Sequence, residues 1–98
     1  MCQYNLTLSC AQRAIRESYL DRDSKRGLHA TFTWFIEEIG ELAEAILGKR
    51  SREGLEEEFA DVLAWLLSLA NLLDINVEEA FVRKYGEDLR STSCLRGS

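Results

Sequence analysis

The chain has 98 residues, 46% hydrophobic and 30% charged, which fits one globular domain and excludes a disordered segment. Its formal net charge of -5 argues against a general nucleic-acid binder, although basic residues cluster at Lys49, Arg50 and Arg52 and at Arg83 and Lys84. Three cysteines without paired spacing, a single histidine (His29) and the lack of any long apolar run argue against a disulfide framework, a zinc site and a membrane span.

The segment Met-Cys-Gln-Tyr-Asn has no basic region followed by an apolar core, so no signal peptide is expected. A cytoplasmic location with reduced thiols follows, with Cys2, Cys10 and Cys94 incidental. Proline is absent and helix-compatible periodicity dominates, so the fold class is all-α. A first helix is predicted from about Leu8 to Leu20, capped by Thr7 or Ser9, with Ala11, Ala14, Ile15 and Tyr19 on its apolar side. The charged run Asp21 to Gly27 reads as a loop.

A second helix is predicted from Leu28 or Thr31 to Leu47, stopped by Gly48. Phe32, Phe35, Ile36, Ile39, Leu42, Ala43 and Ile46 form its main apolar stripe, expected to face the core. Trp34, Glu38, Glu41 and Ala45 form a second stripe beside it, while Glu37 and Glu44 lie toward solvent. The short break at Gly48-Lys49-Arg50-Ser51 predicts antiparallel neighbours, with Ser51 capping a third helix from Arg52 to Leu73. The basic cluster in that break reads as a solvated turn, with phosphate contact as the alternative.

From Asp61 onward the only polar residues of the third helix are Asp61, Ser68 and Asn71. A helix apolar almost all round must be buried on nearly all sides. Val62, Leu66, Leu69 and Leu73 mark the core direction, and Leu63, Leu67 and Ala70 are expected to need a partner chain. A domain this small buries only roughly 60–65% of its unfolded surface, so a homo-oligomer, dimer or tetramer, is predicted. Asn76 opens a last helix with Glu79 three residues on, and Ala80, Phe81 and Tyr85 are expected to pack inward. The single domain spans residues 1–98, with a core from about 8 to 87 and a frayed tail from 88 to 98.

Glu38 and Glu41, and Glu58 and Asp61, are each spaced i, i+3, which makes them neighbours on a helix surface. A single such pair is ordinarily a solvated acidic face. Here both pairs border apolar stripes on consecutive helices joined by a short turn, so four carboxylates can converge. Convergent carboxylates need a counter-charge, and oxygen ligands without histidine suit Mg²⁺, with Mn²⁺ as a substitute. No glycine-rich Walker-type loop is present, so a metal would have to grip any phosphate.

These residues resemble the signature of the MazG nucleotide pyrophosphohydrolases of the all-α NTP pyrophosphatase superfamily. Glu37-Glu38-x-x-Glu41 is followed after 16 residues by Glu58-x-x-Asp61. Thr31-Phe32-Thr33-Trp34, Gly40 to Ile46, Asp61 to Trp65 and Arg83-Lys84-Tyr85 are similar to MazG segments as well, so the likeness runs from about Gln12 to Tyr85. The related phosphoribosyl-ATP pyrophosphohydrolases place Tyr-His where this chain has Ala64-Trp65. The turn Asp74-Ile75 departs from the glycine that MazG members often have there.

The resemblance implies a four-helix bundle that hydrolyses nucleoside triphosphates, ribo or deoxy, to the monophosphate and pyrophosphate with Mg²⁺. Clearing the nucleotide pool is one use of such an activity. By position it implies Glu38, Glu41, Glu58 and Asp61 as metal ligands and Glu37 as a group orienting the attacking water. Lys84 would meet phosphate, Trp34 would border the nucleotide or else pack in the core, and Gln12 and Asn71 would contact base or sugar. Trp65 reads as core and His29 as an exposed surface residue. The alternative from another class is a non-enzymatic helical interaction module with solvated acidic faces.

Overall fold

Three short breaks divide the chain into helices: a single glycine, a turn at 48–51 and a turn at 73–76. The computed structural model describes residues 5–92 and has α1 (Leu8–Arg26), α2 (Leu28–Leu47), α3 (Arg52–Leu72) and α4 (Val77–Arg90), with no strand among those residues. Cys2, Cys94 and the end of the predicted tail lie outside the described residues, and Cys10 is exposed with a free thiol. Capping follows the sequence closely. Thr7 Oγ1 accepts from Cys10 N at 3.0 Å, Ser51 Oγ from Gly54 N at 3.2 Å and Asn76 Oδ1 from Glu79 N at 3.0 Å, each relieving an orphan amide of a first turn.

The loop expected at 21–27 is instead the end of α1. Its charges are arranged at helical spacing: Lys25 pairs with Asp21 at 3.6 Å and Arg26 with Asp23 at 2.8 Å. Lys25 and Arg26 in the last turn also oppose the negative end of the helix dipole. The break is confined to Gly27, whose φ of 93° lies in the region that favours glycine. Gly27 N donates to Asp23 O at 2.9 Å while Gly27 O accepts from Thr31 N at 3.1 Å, so α1 ends and α2 begins on one residue.

α3 is the central helix, packed against α2 on one side and α1 on another. α4 turns away from α3 by 107° and packs against α1. No single helix among the described residues is long and apolar enough to cross a membrane. The turn before α4 places Asp74 at φ 57°, a left-handed conformation that aspartate tolerates better than most residues. That is how the chain makes the turn without the expected glycine. α4 then runs to Arg90, past the predicted core boundary, with a kink at Tyr85 (φ -114°, ψ 25°).

A polar latch holds this end together. Gln12 Nε2 donates to Asn71 Oδ1 at 3.0 Å and Ile75 O at 2.6 Å, and Gln12 Oε1 accepts from Val77 N at 3.0 Å. Asn71 Nδ2 donates back to Gln12 O at 3.2 Å. Both side chains are buried, so these bonds meet the demand that buried amides be satisfied.

The packing corrects the expected core. On α2 the inward face is Thr31, Phe35, Glu38, Glu41, Leu42 and Ala45, with Thr31 and Ala45 fully buried, whereas Phe32 is 52% exposed and Ile36, Ile39 and Ile46 are also exposed. On α3, Leu67 (2% exposed) and Ala70 are covered within the chain, not by a partner. Leu66 and Leu73, expected inside, are exposed and line up with Phe59 and Leu63 at helical spacing. Ala80, Phe81 and Tyr85 are exposed too; the two rings pack on each other with centroids 5.0 Å apart. Because α1 and α2 both claim α3, its buried surface is shifted around the axis from the most apolar stripe. The ends of α2 and α3 enclose an apolar groove of about 520 Å³ lined by Leu28, Phe32, Leu66, Leu69, Leu73 and Ile75.

Candidate metal centre

α2 and α3 run side by side, so the inward i, i+3 positions of each meet between them. Glu38 from α2 and Glu58 and Asp61 from α3 each offer a carboxylate oxygen, and these oxygens lie within 4.8 Å of one another. Glu41 completes the cluster through Glu38. The Glu38 carboxyl is held above its ordinary range, first by burial, then by the charge and a side-chain hydrogen bond of Glu41, and then by Asp61 and Glu58. Glu37 is exposed on the solvent side of α2 and stands outside this group.

Glu58 is the deepest member at 7% exposure, and its Oε2 is buried with no hydrogen-bond partner. A buried carboxylate oxygen left alone costs desolvation energy that nothing within the described residues offsets. Among the described residues its Oε1 has only the guanidinium of Arg50, with Nη1 3.8 Å away, beyond hydrogen-bond length. The donor set is all carboxylate, crowded and short of positive charge. It fits a hard divalent cation by ligand type and by this orphaned oxygen.

Beside the cluster, α1 and α3 enclose a cavity of about 250 Å³. Asp61 lines both it and the cluster, and Tyr19, Arg22, Asp23, Arg26, Trp65 and Ser68 form much of the remaining wall. Trp65, expected in the core, is half-buried in that wall. Trp34 stacks on it with centroids 6.3 Å apart and planes 19° from parallel, and the Arg26 guanidinium lies 5.0 Å from its ring centroid. Asp23 is 3% exposed; its Oδ1 accepts from Arg26 and its Oδ2 has no hydrogen-bond partner among the described residues.

The structure therefore brings together Glu38, Glu41, Glu58 and Asp61, with Trp34 nearby against Trp65. Gln12 and Asn71 are occupied in the latch, and Asn71 lies ten residues along α3 from Asp61, about 15 Å at helical rise. Lys84 is exposed on α4, its ammonium 5.7 Å from the Tyr85 ring centroid, and pairs with no carboxylate of the cluster. Sequence reasoning missed Asp23 and Arg26, and read Arg50 as part of a solvated turn with phosphate contact as the alternative. The i, i+3 spacing of Asp23 and Arg26 was the available signal for those two, masked by the loop reading of a charged run.

A family model for the MazG nucleotide pyrophosphohydrolase domain matches residues 26–87. The match starts later than the resemblance drawn from the sequence, leaving nearly all of α1, and with it one wall of the cavity, outside. No curated protein matches the chain. With more than half of its length covered, including both carboxylate pairs, the chain belongs to the MazG nucleotide pyrophosphohydrolase domain family.

Proposed function

We propose that the protein is a Mg²⁺-dependent nucleoside triphosphate pyrophosphohydrolase, converting an NTP or dNTP and water to the monophosphate and pyrophosphate. The observation that carries this reading is the meeting of Glu38, Glu58 and Asp61 within 4.8 Å around a buried, unpartnered Glu58 oxygen. Glu38, Glu41, Glu58 and Asp61 would hold the metal, with Mn²⁺ as a substitute. A bound divalent ion supplies charge neutralisation for the phosphates and lowers the pKa of its water. In the reaction the water oxygen bonds to the α-phosphorus as the bond to the bridging oxygen breaks. Pyrophosphate leaves with the bonding electrons, and one water proton passes to the carboxylate cluster.

The chain's own residues position the substrate. The cavity beside Asp61 would receive the nucleobase between the Tyr19 and Trp65 rings and the Arg22 and Arg26 guanidinium groups that lie over them. Trp34 braces Trp65 from outside. Glu37 remains the nearby carboxylate available to orient water, and Lys84 the cation of α4 available to phosphate. The exposed apolar stripes of α2 and α3 support a homodimer or homotetramer, and the free Cys10 thiol fits a reducing cytoplasm. A helical interaction module would account for the apolar stripes but not for carboxylates turned inward beside a cavity.

Phosphorus NMR of products from a panel of nucleoside triphosphates with Mg²⁺ tests this. Pyrophosphate and a monophosphate are expected; orthophosphate and a diphosphate as primary products would overturn the assignment of the cleaved bond.

A further inference from the structure

The turn between α2 and α3 sends one arginine to the carboxylates. Lys49 takes φ 57°, reversing the chain, and Arg50 N donates to Ala45 O at 3.2 Å. The Arg50 stem then lies along the first turn of α3. A Cβ placed on Gly54 would meet Arg50 Cδ and Ser51 Oγ at 3.4 Å and Arg50 Cβ at 3.6 Å, ordinary contact distances, so the stem packs directly over this position and a side chain longer than a methyl would compete with it. One turn further, at i+4 from Gly54, the guanidinium reaches Glu58.

That contact does not satisfy either group. At 3.8 Å it is a loose ion pair, Glu58 Oε2 stays unpartnered, and the half-exposed guanidinium makes no hydrogen bond among the described residues. Arginine carries five donors in a planar fork suited to phosphate oxygens. A divalent cation held by Glu58 would neutralise it and so weaken the hold of Glu58 on Arg50.

The order of groups along α3 says which part of a nucleotide Arg50 faces. Gly54 and Glu58, with Arg50 beside them, lie toward the start; Asp61 comes next; Trp65 and Ser68 of the cavity wall follow. Glu58 and Ser68 are separated by about 15 Å along the axis. With the nucleoside at the Trp65 end and the carboxylates at the middle, the far end falls to the terminal phosphates.

Resting on the function proposed above, we infer that Arg50 is the binding residue for the terminal phosphates of the substrate, those that leave as pyrophosphate. Its guanidinium exchanges Glu58 for phosphate oxygens when substrate and metal are bound.

The test compares wild type, Arg50→Gln, Arg50→Lys and Gly54→Leu. Gly54→Leu keeps Arg50 but competes with its stem, and leucine is a better helix former than glycine. Binding of inorganic pyrophosphate and of nucleoside monophosphate, each with Mg²⁺, is measured by calorimetry alongside KM and kcat for triphosphate. Charge-assisted bonds of this kind correspond to about tenfold or more in affinity. Arg50→Gln is expected to lose about tenfold or more in pyrophosphate binding and raise KM by a similar factor, with monophosphate binding unchanged. Arg50→Lys should recover part of that loss, and Gly54→Leu should reproduce it. Equal pyrophosphate binding in wild type and Arg50→Gln, or parallel loss of monophosphate binding, overturns the assignment while wild-type hydrolysis leaves the function standing. A wild type that releases no pyrophosphate overturns both.

Discussion

The two faces of α2 depart from the usual arrangement. The inward face carries Thr31, Glu38 and Glu41 beside Phe35, Leu42 and Ala45, and the outward face carries Phe32, Ile36, Ile39 and Ile46. Hydrophobicity alone would turn those last four inward. The inward face is kept by what it does locally: Ala45 allows α2 and α3 to approach closely, Thr31 Oγ1 donates to Gly27 O at 2.8 Å, and Glu38 joins the carboxylates. The outward face is then apolar surface that the chain by itself leaves in water. Within one helix, carboxylates have taken the inside and large apolar side chains the outside.

The largest expected effect comes from breaking the inward face. Asp61→Asn or Glu41→Gln should abolish hydrolysis, yet leave the protein as stable or more so in chelator. Like charges about 4 Å apart repel by about 1 kcal/mol in bulk water and about 4 kcal/mol at a surface-like dielectric, and the amide removes one while keeping size. Adding Mg²⁺ should raise the wild-type melting temperature, since at a hundredfold excess over Kd a ligand stabilises the folded state by about 2.7 kcal/mol. The variant should gain much less. Equal Mg²⁺ shifts in thermal melts of both proteins would place the metal elsewhere.

The outward face gives the next effect. Replacing Ile39 and Leu66 by glutamate should reduce the mass seen by light scattering to that of one chain and leave the carboxylates in place. Each large apolar side chain fully covered by a partner contributes about 1.5–3 kcal/mol. An unchanged assembly would mean that these stripes are not its contact.

The smallest effect is a pH dependence that marks the inward face in chelator. The folded-state pKa of Glu38 is raised above 4.5, so protonation favours the fold. That stabilisation is complete below the unfolded value and is lost as pH rises through the folded one. Compared with Glu38→Gln, the wild-type melting temperature should therefore fall as pH climbs from about 4.5 upward. Parallel curves for the two proteins would show that Glu38 is not strained by its neighbours.

Much of this comparison was legible in the sequence. The i, i+3 carboxylates needed only helical geometry and a short turn, and Thr7, Ser51 and Asn76 cap as local chemistry dictates. What periodicity could not give was which face of α2 and α3 meets which helix. Apolar moment ranks faces by transfer energy, whereas the observed rotation depends on where α1 docks. The residues of the α1–α3 cavity were hidden for a related reason. Asp21 to Arg26 looks like a loop by charge, whereas in the fold its charges pair at helical spacing through Lys25 and Arg26.

The latch at the other end of the molecule bears on how the fold is reached in time. Gln12 meets Asn71, Ile75 and Val77 across 59, 63 and 65 residues of chain, so α1 and the α3–α4 turn must already stand in place before it can close. Contacts of such long sequence separation are entropically late, while α2 and α3 can pair across their short turn at once. The latch is thus a clasp on a finished structure. Its strength governs how slowly the native chain comes apart, and has little say in how fast it assembles.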